Sequence, residues 1–224
     1  MLKISKEIAA RFPGVTIGIV QGECAKNAFA DENAYLQQAR AAEEETRKIA
    51  NLAEQPNVAA WRKMYRAFGE DPTKRKPSAE ALAKRVLNGE QLPRVNALVD
   101  CYNLVSLRNL IPVGGQDREK IVGEMVLRFA NEGESFTPLG AKEIQQANEG
   151  EVVYADAEKI LCRKWNYRDC EEAKIAETTA KFVLVVDGAA GIPAEKVEGA
   201  ANELKAALEK FIQGCSANTS FART

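Results

Sequence analysis

The sequence predicts an α+β fold with a mainly antiparallel sheet arrangement. Helical patterns occupy the first half of the 224-residue chain, and short runs rich in β-branched residues follow residue 117. The two kinds of element do not alternate regularly, and this order favours an α+β domain. Apolar residues make up 46% and charged residues 28% of the chain, as is typical of a globular protein with one large or two small domains.

The helical half begins after one short strand. Residues 15–20, VTIGIV, predict a buried strand bounded by glycines. Residues 31–52 predict a helix that contains neither Pro nor Gly and ends before Pro56. Residues 58–68 predict a second helix with a single apolar stripe, which we interpret as a core face rather than as a surface for base stacking. The stripe consists of Trp61, Met64, Tyr65 and Phe68.

Two further helices are predicted before residue 111. The first follows the loop GEDPTKRKPS, with Ser78 as its predicted N-cap. The second, residues 96–110, is apolar almost all round and is therefore predicted to be buried. Its narrow polar stripe holds Asn96, Asp100 and Asn103. Polar side chains on a buried helix need hydrogen-bond partners or line a cavity, and both interpretations stay open from the residues alone.

The second half starts with a glycine-containing segment. Residues 111–117, IPVGGQD, predict a flexible backbone that a ligand can approach closely, without the Gly-Lys-Ser/Thr of a P-loop. Short strands are predicted beyond it, at residues 120–129, 152–154, 159–162 and 181–186. A final helix is predicted at residues 193–211, where Pro193 suits the first turn. The tail, residues 216–224, is predicted to be frayed.

Composition excludes several kinds of chemistry. The chain contains no histidine, which excludes Ser-His-Asp and Cys-His catalysis and His-ligated metals. Its five cysteines are odd in number and no two lie two residues apart, so we expect inert thiols in a reducing compartment. We expect neither a metal nor another cofactor. Since the sequence shows no apolar run long enough for a membrane span or a signal peptide, we expect a cytoplasmic protein without a membrane partner.

Positive charge is concentrated in one segment. Residues 61–94 carry 9 basic and 4 acidic side chains, a net charge of +5, whereas residues 1–60 and 95–224 have net charges of −1 and −5. A basic segment on a nearly neutral protein favours phosphate binding, although basic residues on helices are often only a solvated face. The candidates for phosphate contacts in this segment are Arg62, Arg66, Lys74, Arg75 and Lys76.

Three segments carry a family resemblance: residues 77–117, residues 133–140 together with 152–156, and residues 162–179. Their order and spacing resemble the B3/B4 editing domain of the phenylalanyl-tRNA synthetase beta chain, and still more its free-standing relatives. The most specific part is a Val-Asp-x-x-Asn motif followed by Pro-x-Gly-x-x-Asp. The resemblance implies a three-layer B3/B4-like domain at residues 57–215, with an unusual β-sandwich core flanked by helices. An N-terminal strand and helix, residues 1–56, would pack on it.

The resemblance also implies a function. The synthetase domain hydrolyses tyrosine wrongly attached to tRNA(Phe). Because the sequence holds neither the synthetase catalytic core nor its partner subunit, we expect a trans-editing hydrolase that deacylates mischarged aminoacyl-tRNA. The resemblance thus implies that tRNA, and not DNA, docks at the basic residues 61–94. Asn103 falls where the family has a pocket Asn, and Gly114 falls where many members have a His. The missing His, and an apolar strand where the synthetase domain has a Glu, favour an amino acid other than tyrosine.

The predicted site lies around residues 99–117. An aminoacyl ester is already activated, so hydrolysis needs a positioned water and oxyanion stabilisation, which backbone amides of residues 113–116 could supply. We assign catalytic roles to Asn103 and Glu134, with Asp100 as another possible base and proton transfer by substrate or water as the alternative. The substrate-binding candidates are Asn96, Asp100, Ser106, Pro112, Val113, Gly114, Gly115, Asn166 and Arg168. A non-catalytic module that binds tRNA, an amino acid or another small molecule is the alternative function.

Overall fold

The computed structural model describes residues 2–224, and within that range the chain forms six α-helices and eleven β-strands. The helices are α1 (Lys6–Arg11), α2 (Glu32–Arg47), α3 (Pro56–Ala67), α4 (Ser78–Leu87), α5 (Ala97–Asn109) and α6 (Ala194–Phe211). The strands are β1 (Leu2–Ile4), β2 (Thr16–Glu23), β3 (Val113–Asp117), β4 (Met125–Phe129), β5 (Ser135–Phe136), β6 (Gln145–Gln146), β7 (Val152–Ala155), β8 (Ile160–Arg163), β9 (Arg168–Asp169), β10 (Lys181–Gly188) and β11 (Ser216–Arg223).

The strands build two main sheets. One is a four-stranded antiparallel sheet in the order β11-β2-β10-β3. The other is a five-stranded sheet in the order β1-β4-β7-β8-β9, in which only the pairing of β1 with β4 is parallel among the described strands. A small pair, β5 and β6, stands apart from both. This mixture of helices with mostly antiparallel sheets confirms the predicted α+β class.

The two main sheets face each other as a sandwich, and helices cover the outer face of the four-stranded sheet. Asp187 on β10 accepts a hydrogen bond from the Tyr154 hydroxyl on β7 at 2.5 Å, which joins the sheets across the core. Side chains alternate along a strand, so the neighbours of Asp187 on β10 point the opposite way. On that opposite face a Cβ added to Gly18 would lie 2.9 Å from Ala201 of α6. The layers are therefore helices, sheet and sheet, as the resemblance implied.

Helix α3 joins the core through its aromatic side chains. Trp61 and Tyr65 are 1% and 0% exposed, which confirms that their stripe is a core face. The Trp61 indole N–H donates to the Asp187 carbonyl at 3.0 Å, and its ring meets Trp165 edge-on with centroids 5.4 Å apart. Edge-to-face pairs of this kind stabilise a core beyond the area they bury. Helix α3 is thereby fixed against β10 and the segment that follows β8.

The prediction of a frayed tail at residues 216–224 is wrong. Strand β11 pairs with β2 along its whole length, from Ser216 beside Glu23 to Arg223 beside Thr16. The Thr224 hydroxyl then donates to the Phe12 carbonyl at 3.0 Å. Polar residues dominate this edge strand because only part of it is covered, and its ladder of main-chain hydrogen bonds does not depend on apolar side chains.

Other elements also differ from the prediction. The N-terminal segment supplies strands to both main sheets, because β1 extends the five-stranded sheet and β2 is an interior strand of the other. Pro77, not Ser78, occupies the N-cap of α4, and the Ser78 hydroxyl is buried without a hydrogen-bond partner in the described chain. The run predicted as a strand at residues 120–129 is extended only from Met125, after a 3₁₀ turn at Arg118–Lys120.

Candidate functional site

Two concave regions flank helix α5 and the edge strand β3. The first, here called the basic groove, has a volume of about 480 Å³, and its walls include Lys74, Lys76, Arg85, Asn103, Val113 and Tyr167. The second, here called the apolar cavity, has a volume of about 440 Å³, and its walls include Val95, Val99, Tyr102, Gly115, Asp169 and Ile175. Consecutive residues of α5, Tyr102 and Asn103, face different regions, so both open beside the same stretch of helix and strand. Volumes of this size suit small ligands or parts of larger ones.

Asn103 is the polar residue of α5 that remains available to a ligand. It is half-buried in the wall of the basic groove, and its side-chain amide forms no hydrogen bond within residues 2–224. An amide that is partly desolvated and unpartnered offers two donors and an acceptor to a bound molecule. Ser106 shares the groove, but its hydroxyl donates to the Ile111 carbonyl at 2.8 Å and holds the end of α5 instead.

The other two members of the polar stripe are structural. Asn96 caps α5 by accepting from the Val99 amide at 3.1 Å, although it also borders the apolar cavity. Asp100 is 1% exposed and lines neither region. Its carboxylate accepts from the Arg94 guanidinium at 2.6 Å and from the Val95 amide at 2.8 Å. The assignment of Asp100 to substrate binding or to a base is therefore corrected: it holds the segment that leads into α5.

The predicted flexible segment at Gly114 and Gly115 is instead strand β3, at the edge of the four-stranded sheet. The Asp187 amide donates to the Pro112 carbonyl at 2.9 Å, which makes this pair hydrogen-bonded in the β10–β3 ladder. Hydrogen-bonded and non-bonded pairs alternate in an antiparallel ladder. The amides of Val113 and Gly115 therefore point away from β10. Val113 borders the basic groove and Gly115 the apolar cavity, and the far end of this edge is covered, since the Asp117 amide donates to the Ala173 carbonyl at 2.9 Å. Pro112 itself is buried and contributes only this carbonyl contact.

The sequence left two roles open for Asp169, a structural ion pair with Arg168 or a place in the pocket, and this residue was not among those assigned to substrate binding. It follows Arg168 on β9, borders the apolar cavity and accepts a hydrogen bond from the Gln116 side chain at 3.2 Å. Burial between the two sheets raises the pKa of the Asp169 carboxyl from 3.8 to about 6. Arg168 does not pair with it: the guanidinium donates to the Leu139 carbonyl at 2.9 Å. A strand of two residues has no periodicity, so no sequence pattern marks Asp169 as a cavity residue.

Two predicted site residues lie elsewhere. Glu134 is bound by Arg128 through two hydrogen bonds of 2.6 and 2.8 Å, and it lines neither the basic groove nor the apolar cavity. These bonds hold the pKa of Glu134 below its usual value, which makes it a weak base. Asn166 is buried, accepts from the Tyr65 hydroxyl at 2.9 Å and donates to Asp187 at 3.3 Å. Both assignments are corrected, because these contacts are structural.

The basic residues form a patch around one exposed aromatic ring. Tyr167 is 42% exposed and lies between the basic groove and a neighbouring depression of about 380 Å³. We call this patch the basic surface, and it consists of Lys74, Arg75, Lys76, Arg85, Arg163, Lys164 and Arg168 around Tyr167. Arg163 and Lys164 are neutralised by Glu151 and Glu70, whereas Lys74, Lys76 and Arg168 have no carboxylate partner among the described residues.

Two arginines of α3 are less suited to phosphate binding than predicted. Arg62 pairs with Glu80 at 3.1 Å, and its side chain is only 18% exposed, so it is corrected to a structural ion pair. Arg66 is exposed but borders none of the three concave regions described above. The loop between α3 and α4 contributes the accessible cations instead.

No group of three or more Asp, Glu, Cys or His side chains is placed to hold a metal ion in residues 2–224. No helix in the described range is both long and apolar enough to cross a membrane. The five cysteines are free thiols, and all but Cys215 are buried.

Comparison with known proteins identifies the family. The family model described as the B3/4 domain matches residues 60–218. The chain therefore belongs to the B3/4 domain family, whose likeness to the beta chain of phenylalanyl-tRNA synthetase the sequence analysis had indicated. No curated protein matches the chain significantly.

The fold is similar to that of a solved phenylalanyl-tRNA synthetase fragment. The solved structure is an N-terminal fragment of the phenylalanyl-tRNA synthetase beta-subunit from Pyrococcus horikoshii, with 16% sequence identity and a TM-score of 0.50. The superposition covers 97% of this chain and 50% of that one, so the chain spans about half of the solved fragment. At this identity the likeness concerns the fold.

Proposed function

We propose that the protein is an editing hydrolase that removes a wrongly attached amino acid from tRNA charged by another enzyme. The observation that carries this proposal is the free amide of Asn103 in the wall of the basic groove, with the apolar cavity opening beside the same helix α5 and strand β3. The end of an aminoacyl-tRNA has three parts that match this site: a polyanionic nucleotide chain for the basic groove, an ester for the region of Asn103, and an amino-acid side chain for the apolar cavity. The arrangement can receive all three parts together.

Each part of the aminoacyl ester is placed in the region of the site that matches its charge and polarity. With the terminal nucleotides in the basic groove and the amino acid in the apolar cavity, the ester carbonyl lies beside β3. The outward amides of Val113 and Gly115 then stabilise the oxyanion, as preorganised donors do in acyl transfer. Asn103 orients the attacking water or the ester. Since Glu134 is held by hydrogen bonds from Arg128, the proton is transferred by the substrate's own hydroxyl or by water.

The basic surface provides a docking site for the tRNA. Lys74, Arg75 and Lys76 lie on the loop before α4, and two of them line the basic groove itself. Tyr167 offers an exposed ring among these cations, a combination that binds single-stranded nucleic acid by stacking and phosphate contacts. The tRNA body would then direct its 3′ end along the groove toward Asn103.

The space at Gly114 bears on which amino acid is removed. A Cβ added to Gly114 would meet only the Asp169 carboxylate oxygen, at 4.0 Å, so the space beside β3 is open. No side chain at this position can hold a phenol hydroxyl. We expect tyrosyl-tRNA(Phe) to be cleared more slowly than the best substrate, and preferential clearance of tyrosine would contradict this argument.

The decisive experiment is a deacylation assay on a panel of mischarged tRNAs. At least one should be hydrolysed faster by the protein than by buffer, and Asn103→Ala should reduce that acceleration on the order of 10²-fold. If none is accelerated, the alternative applies: a binding module for tRNA or a small molecule that uses the same groove without catalysis. The absence of a free carboxylate beside Asn103, within the described residues, is the observation that favours this alternative.

A further inference from the structure

We propose that Asp169 binds the ammonium group of the aminoacyl substrate inside the apolar cavity. This inference deepens the proposed editing function and rests on it. It assigns a specific binding role to a carboxylate in the third segment of the resemblance, residues 162–179.

Asp169 has no salt-bridge partner among the described residues. It borders a cavity whose walls combine apolar groups, among them Val99 and Ile175, with the partly exposed ion pair of Lys174 and Glu171. The Arg168 guanidinium donates to the Leu139 carbonyl and does not bond Asp169. Desolvation raises the pKa of Asp169 to about 6, against the lowering effect of Arg168 and of hydrogen bonds from Cys162 and Gln116. A partly buried carboxylate without a bonded cation favours a ligand that supplies one.

The Gln116 side chain orients the Asp169 carboxylate. Gln116 is 3% exposed and donates one N–H to Asp169, which fixes the direction of the carboxylate. The carbonyl oxygen of Gln116 is buried and has no partner among residues 2–224. Of the two side chains, Asp169 borders the cavity, where its carboxylate can accept hydrogen bonds from a ligand, and a primary ammonium carries three donors. An anionic ligand would repel this carboxylate, and a purely apolar ligand would leave it without a cation.

Asp169 is accessible from the position proposed for the substrate ester beside β3. Gly114 has no side chain to stand between the edge of β3 and Asp169, whose oxygen lies 4.0 Å from the position a Cβ would occupy. In an aminoacyl ester the carboxyl group is consumed by the bond to the ribose, so the amino-acid part carries one cation and no anion. The ammonium is attached to the carbon next to the ester carbonyl. An ester placed beside β3 therefore presents its ammonium toward Asp169.

The test measures binding without hydrolysis. The probes are 3′-aminoacylamino-3′-deoxyadenosines carrying valine, leucine, methionine or phenylalanine, in which an amide replaces the ester. Each is compared with its N-acetylated form, which lacks the positive charge, by calorimetry at pH 7.5. The wild-type protein should bind at least one free-amine probe more tightly than its acetylated form, on the order of 10-fold or more.

Two variants identify the responsible carboxylate. Asp169→Asn keeps the volume of the side chain and should remove the preference for the free amine. Glu171→Gln is the matched control: Glu171 borders the same cavity but already bonds Lys174 and the Gly140 amide, so the preference should persist. Melting temperatures of both variants show whether the fold is retained.

The outcomes separate this inference from the proposed function. Equal binding of free and acetylated probes by the wild type would refute the role of Asp169, as would an undiminished preference in Asp169→Asn. Failure of every probe to bind, while a mischarged tRNA is still hydrolysed, would refute it as well. A preference that depends on Asp169 without any tRNA hydrolysis would support the inference and overturn the editing function.

Discussion

Replacing Asn103 by Ala should impair catalysis while leaving the fold nearly unchanged. The Asn103 amide forms no hydrogen bond within the described chain, so its removal leaves no buried group without a partner. Substitutions of this kind usually change stability by less than about 0.5 kcal/mol. For a chain of this length that corresponds to a melting-temperature shift of no more than about 2 °C. A hydrogen bond made in the transition state, by contrast, is worth on the order of 10²-fold in rate.

Asn96→Ala is the matched control for this substitution. Asn96 belongs to the same polar stripe, but it caps α5 and also bonds Asn27 and the Ile175 carbonyl. Loss of the cap alone costs about 1 kcal/mol, or roughly 2–4 °C in melting temperature. Asn96→Ala should therefore lower the melting temperature more than Asn103→Ala does. At assay temperatures below unfolding, it should lower the deacylation rate less than Asn103→Ala does.

The assay measures melting temperature and deacylation rate on the same samples, with the most reactive mischarged tRNA of the panel. The expected pattern is a slow but stable Asn103→Ala and a less stable but active Asn96→Ala. An Asn103→Ala variant with the wild-type rate would remove Asn103 from the site. A marked loss of stability in that variant would mean that the amide has a structural partner after all.

Three other results are expected. Changing Lys74, Arg75 and Lys76 to Ala should weaken tRNA binding and flatten its dependence on salt, since phosphate contacts release counterions; the same change at Lys196, Lys205 and Lys210 on α6 should do neither. Burial raises the pKa of the Asp187 carboxyl from 3.8 to about 7, so between these pH values the native state keeps a proton that the unfolded chain loses. The free energy of unfolding, measured with urea, should therefore fall as the pH rises from about 4 to about 7. Asp187→Asn should flatten that fall; an unaltered profile would exclude Asp187 as its source. A thiol reagent should modify mainly Cys215 in the native protein and all five cysteines in denaturant, and fast labelling of a buried thiol would show that the core opens.

Periodic patterns predicted the helices of the site well. The stripe of Trp61 and Tyr65 and the apolar surround of α5 repeat at helical spacing, so their burial follows from the sequence. The same pattern selected Asn103. It could not separate Asn103 from Asp100, because that distinction depends on Arg94 and the Val95 amide, which fold back from the preceding loop.

Residues outside periodic elements were harder to predict. Asp169 faces the cavity because β9 pairs with β8 and because Gln116 reaches it from β3, a residue 53 positions away in the chain. Glu134 was predicted as a catalytic residue because nothing in its local sequence shows that Arg128 donates hydrogen bonds to it across a turn. Tertiary contacts of this kind override local patterns, and sites built on short strands and loops depend on them most.

The pairing of β11 with β2 constrains how the chain can fold. These two strands lie about two hundred residues apart in sequence, so closing the four-stranded sheet requires a very long loop and should be slow. During synthesis β2 leaves the ribosome before its partner β11, which follows all the other described strands. Until β11 pairs, one side of β2 carries unpaired main-chain groups, which is the kind of edge that promotes association between nascent chains. Truncation before residue 216 should therefore leave that edge of β2 open and produce an aggregating chain.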